Sequence, residues 1–234
     1  MGLFDSFNPL EMLLQGGQET SNQNLANKAG LDMGDFGKIA TIGLPIILSA
    51  IKKNTQTPEG LESFDNALTK HQDVTNYNNL DQLTQNVDPQ DGDKILGHVF
   101  DDKQSIFERI GSTLGLSPDA VKRALIVVAP LILKYMADRK NSNQLDRNGL
   151  QEETNRTFDQ ITNTIQEKGA LPNNVPNGES IIDAILSGRE ANRVDQQTVD
   201  QARQMGQEQL DRVKQDKESK SGSILGSILD LFKK

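Results

Sequence analysis

Apolar positions recur along this chain at helical spacing, and nowhere do they alternate residue by residue over the length of a strand. The pattern predicts an all-α protein. Leu3, Phe4, Phe7, Leu10, Leu13 and Leu14 form one face of a first helix. Two later segments, 42–51 and 124–133, are apolar nearly all round, as a helix buried on every side would be. Each run is interrupted by a proline and is far shorter than the roughly 20 residues of a membrane span. Leu61, Phe64 and Leu68 form a narrower stripe behind Thr57 and Pro58, a capping residue followed by a first-turn proline. Ser105 and Glu108 have capping-box spacing ahead of the face Ile106, Phe107, Ile110 and Leu114.

The two apolar runs belong to longer segments that align without a gap, 29–53 with 114–138. Gly30 and Leu31 fall on Gly115 and Leu116, Lys38 on Arg123, Pro45 on Pro130, and Ile47–Leu48 on Ile132–Leu133. The reading is a duplicated helical unit within one multihelical domain. In each copy the glycine ends a preceding helix, where a left-handed residue is required. A cap follows: Ser117 with Pro118 in the second copy, and Asp32 or Asp35 in the first. Pro45 and Pro130 are expected to kink the buried helices.

Between the copies lies DGDKILGHVF, residues 91–100. Asp91 is expected as the N-cap, Asp93 in the first turn, and Ile95, Leu96, Val99 and Phe100 as the packing face. Gly97 is expected to admit a neighbouring helix, with His98 at the edge of the face or in solvent. Beyond residue 140 the chain turns polar. Leu150, Phe158, Ile161 and Ile165 mark a helix ending near Gly169, and LPNNVPNG over 171–178 reads as a linker. A short helix then carries Ile181, Ile182, Ile185 and Leu186 and stops at Gly188. A long polar helix is predicted over 196–215, and a flexible tether over 217–222. The chain closes with SILGSILDLFKK, where Ile224, Leu225, Ile228, Leu229 and Phe232 share one stripe. The expected organisation is therefore a domain over 1–140, a polar helical extension over 141–216, the tether, and an amphipathic helix over 223–234.

Composition narrows the chemistry. Of 234 residues, 35% are hydrophobic and only 4% aromatic, which suits a helical core over part of the chain with polar helices elsewhere. The formal net charge of −8 disfavours a general grip on phosphate backbones. Lys122, Arg123 and Arg109 form the one small basic cluster that a helix-turn-helix reading could use. With no cysteine there are no disulfides, thiolate nucleophiles or cysteine-ligated metals. No basic stretch precedes an apolar run at the start, so no secretory leader is expected, and the cytoplasm is the expected compartment. A calcium loop around Gly92 would put Val87 first, Pro89 third and His98 twelfth, which supplies the wrong ligands. No zinc-protease, hydrolase-elbow or nucleotide-loop motif occurs. His71 and His98 are the only near-neutral bases, and with Asp91 or Asp93 they could meet a metal only if folding joined them.

Leu44–Leu68 (LPIILSAIKKNTQTPEGLESFDNAL), DGDKILGHVF and LGLSPDAVKRALIVVAPLIL together resemble the YidB-like bacterial family of domains of unknown function. The likeness covers roughly residues 3–140. It implies a small, helical bacterial domain, and it brings no catalytic residues with it.

These readings converge on a non-enzymatic helical interaction or scaffold protein with no catalytic, cofactor or metal site. Its expected contact is with a protein partner or a second copy, through Ile224, Leu225, Ile228, Leu229 and Phe232. A helical nucleic-acid binder is the alternative, and an enzyme using His98 ranks behind it. A membrane surface is a minor further possibility for the terminal helix.

Overall fold

The structure, a computed structural model, describes residues 19–71, 80–167 and 178–188. Every described element is a helix: α1 (Glu19–Ala29), α2 (Met33–Asn54), α3 (Pro58–Lys70), α4 (Leu80–Gln85), α5 (Pro89–Val99), α6 (Lys103–Leu114), α7 (Pro118–Ser142), α8 (Arg147–Glu167) and α9 (Gly178–Ser187). The all-α expectation holds. The stripes expected over 3–14, 196–215 and 224–232 fall outside the described residues.

The helix starts follow from local capping chemistry. Asp32, Thr57 and Ser117 each accept a hydrogen bond from the backbone N–H three residues on, and Pro58 and Pro118 occupy first-turn positions. Gly30 at φ +63° and Gly115 at φ +69° end α1 and α6 in the left-handed region. Leu31 and Leu116 then return backbone hydrogen bonds to Ala26 and Gly111. Two starts differ from the sequence reading. The cap of α5 is Asp88, three residues before Asp91, with Pro89 behind it and its carboxylate accepting from the Gln90 N–H. Asp91 lies inside the first turn. Likewise α6 is capped by Asp102, and Ser105 donates both its N–H and its hydroxyl to that carboxylate instead of capping the helix itself. In both places an aspartate further upstream reaches the free N–H groups first.

Two buried helices organise the rest. In α2, residues from Phe36 to Ile51 are buried almost without interruption; in α7 the buried run extends from Ala120 to Asp138. Both helices continue through their prolines, so neither Pro45 nor Pro130 breaks its helix. The length and composition of α2 would suffice to cross a membrane, but 72% of its apolar window is buried inside the protein, as in the core helix of a folded domain. Around this pair, α5 and α6 pack on α7, α1 packs on α4 and α7, and α8 packs chiefly on α2.

The described helices all fall in the first of two units, residues 1–190. Within the first unit the core runs past residue 140. Leu150, Phe158, Ile161 and Ile165 of α8 and Ile182 and Ile185 of α9 are buried in the same apolar cluster as α2 and α7. Gly188, at φ +70°, ends α9 where the sequence placed its stop.

Candidate functional site

A close helix crossing lies in the segment that carries the family likeness. A Cβ on Gly92 would sit 1.7 Å from the carbonyl oxygen of Ile126, so α5 meets the backbone of α7 directly at this point. Gly97, expected to play this part, is exposed and has only the Lys103 ammonium within reach of a Cβ, at 3.8 Å. The TPEG turn is tight for a similar reason: a Cβ on Gly60 would lie 1.9 Å from the Asn54 carbonyl oxygen. Asn54 in turn donates its side-chain amide to the Val99 carbonyl at 3.1 Å, joining the end of α2 to the end of α5. These motif residues are fixed by packing.

Of the candidate acid–base groups, the fold joins His71 with Asp91. His71 caps the end of α3 and brings Nδ1 within 3.5 Å of Asp91 Oδ2, an ion pair when the imidazole is protonated. His98 is exposed on α5, seven residues beyond Asp91. Asp93 is committed to Lys103 at 2.9 Å. That hydrogen bond and the accompanying charge hold its carboxyl below the ordinary value, opposed by partial desolvation. Among the described residues no three His, Asp or Glu side chains could together hold a metal ion.

The basic cluster disperses. Arg109 donates to the backbone carbonyl of Ile185 at 2.7 Å, and Arg123 pairs with Asp119 one turn away at 3.1 Å. Lys122 stays exposed.

Two polar assemblies were not foreseen. At the α7–α8 contact, buried Glu153 accepts from Arg139 Nε at 2.8 Å and also pairs with Arg156. Lys134, Tyr135 and Asp138 are buried on the same stretch of α7, and burial pushes the Tyr135 phenol above its usual range while Arg139 pulls it down. Nearby, Lys140 and Arg147 both reach Asp65, and Arg147 also meets Glu62 at 3.1 Å, tying α3 to the α7–α8 turn. The alternation of charged and apolar residues in YMADRK and EETNRTF was the available signal; it reads equally well as a solvated face.

One open cleft of about 300 Å³ lies between α2, α8 and α9. Phe158 and Ile182 contribute apolar surface, and Ser49, Lys52, Lys53, Gln56 and Asp183 contribute polar groups. The Lys52 ammonium sits 4.8 Å from the centre of the Phe158 ring. Such a cleft can hold an apolar side chain with an acidic group beside it. The partner-binding residues expected at 224, 225, 228, 229 and 232 lie outside the described residues.

No curated protein and no solved structure matches the chain. A family described as bacterial protein of unknown function (DUF937) matches residues 11–139, more than half of the sequence, and the resemblance drawn from its motifs is to the same YidB-like group. The chain belongs to this family of bacterial proteins of unknown function.

Proposed function

We propose that the chain is a non-enzymatic, cytoplasmic interaction or scaffold protein whose C-terminal amphipathic segment binds a protein partner or a second copy. The observation that carries this reading is the stripe Ile224, Leu225, Ile228, Leu229 and Phe232, set behind the polar tether at 217–222. The described surface is consistent with it. Met33 is the only large hydrophobic side chain exposed among the described residues. The nucleic-acid alternative loses support because Arg109 and Arg123 are held by local partners.

The test compares the full chain with a chain lacking 223–234, by light scattering and by capture from the native organism. Removal of the segment should lower the oligomeric state or lose a captured protein. If both stay unchanged, the reading fails. Binding to duplex DNA at low salt would favour the alternative, and metal or activity lost on His98→Ala would favour the enzyme.

A further inference from the structure

Helix α9 lies beyond the family-matched residues and is held in a groove formed by α2, α6 and α8. Ile182 and Ile185 enter it with 3% and 1% of their surface exposed, and Leu186 packs at its margin. Arg109 closes the far end by donating to the Ile185 carbonyl at 2.7 Å. Gly188 then turns the chain away at φ +70°, where a Cβ would lie 2.9 Å from the guanidinium. The groove is wider than α9 fills, because the cleft of about 300 Å³ opens along the helix beside Ile182 and Asp183.

A similar sequence recurs near the end of the chain. Placing Ser180 on Ser223 aligns SIIDAIL with SILGSIL. The serine, the first isoleucine and the closing Ile–Leu pair are identical, and Ile182, Asp183 and Ala184 become Leu225, Gly226 and Ser227. The two side chains that α9 buries therefore have apolar equivalents in Leu225 and Ile228. The copies diverge at the end. Leu231 stands where Gly188 makes its left-handed turn, and a leucine there is disfavoured. A helix formed by the tail would continue past this point, satisfy its own carbonyls and offer Asp230 to Arg109.

We infer that the groove occupied by α9 is also the docking site for residues 223–230 of a second copy of this chain, which displaces α9 on binding. The inference rests on the reading under Proposed function and names both the partner and the surface. Each copy has one groove and one tail, so reciprocal exchange closes a two-fold dimer without leaving an open end. The tethered α9 competes at high effective concentration, which raises the chain concentration needed for this bimolecular association.

The experiment uses the full chain. A photo-cross-linking residue replaces Leu225 in isotopically labelled protein, which is mixed with unlabelled protein, while light scattering follows association over a concentration series. Cross-links are expected between copies, to α2 or α8 near Lys52 and Phe158. Ile228→Asp should abolish the dimer. Gly188→Ala weakens only the end of α9 and should tighten association by roughly five-fold or more, the reverse of what general damage would do. Cross-links confined to one copy, cross-links away from the groove, or association unchanged by Gly188→Ala would each overturn the inference. Loss of association on removing 223–234 combined with cross-links elsewhere sinks this inference alone; no effect of that removal sinks the broader reading as well.

Discussion

Gly92 and Gly97 sit on the same short helix and look interchangeable in DGDKILGHVF, yet the structure separates them completely. At Gly92 the obstruction is backbone, the Ile126 carbonyl, and backbone cannot move aside as a side-chain end can. Gly92→Ala should therefore lower stability by about 3 kcal/mol or more, read as a shift in the urea midpoint. A Cβ on Gly97 would make only an ordinary contact with the flexible end of Lys103, and the residue sits inside a helix, so Gly97→Ala should be neutral or stabilising by about 0.5 kcal/mol. Equal losses at the two positions would refute the assignment of the crossing to Gly92. The sequence could not separate them because both glycines flank the same apolar face, and the deciding atom belongs to a residue on another helix. Asp88 was different. Asp88–Pro89 repeats the cap-then-proline signal already recognised at Ser117–Pro118 and Thr57–Pro58, so this start was legible.

At the scale of whole helices, the strongest signals were the long apolar runs, and α2 and α7 are buried as their composition demanded. The thin stripe of α8 was a weaker signal, because four apolar residues among many polar ones fit a loosely attached helix equally well. Its real partner is α2, and its polar residues are not idle: Glu153, only 3% exposed, holds two arginines. Two outcomes follow. Ile161→Ala should cost about 2–4 kcal/mol, the range for truncating a fully buried aliphatic side chain, within a single unfolding transition. Glu153→Ala should cost about 3 kcal/mol, because Arg139, mostly buried, loses its carboxylate. An Ile161→Ala variant at wild-type stability would show that α8 contributes little to the core. By the same argument, a chain ending at residue 140 should lack a cooperative thermal transition, since it strips the cover from α2.

For the molecule as a whole, charge sets the pH range of stability. Asp32, Asp93 and Asp102 all have their carboxyl groups held below the ordinary value of 3.8: Asp32 chiefly by the Asp35 N–H, Asp93 by the Lys103 ammonium, and Asp102 by the Ser105 hydroxyl and N–H. At acid pH the unfolded chain therefore binds more protons than the folded one. Their contribution is complete above about pH 4 and is lost as pH falls through the lowered folded values. Tyr135 acts at the opposite end. Burial raises its phenol above 10.0, so its contribution is complete below that pH and declines as pH rises toward the folded value. Stability should thus be broad between these limits and fall on both sides. Asp93→Asn should shallow the acid limb slightly, by about 0.5 kcal/mol at most, since the Asp93–Lys103 pair is partly exposed and screened. Tyr135→Phe should flatten the alkaline limb and leave the acid limb unchanged. Urea unfolding of the three proteins across pH, with tyrosinate absorbance followed above pH 10, reads each limb separately. An alkaline limb that persists unchanged in Tyr135→Phe would refute the assignment of that limb to the buried phenol.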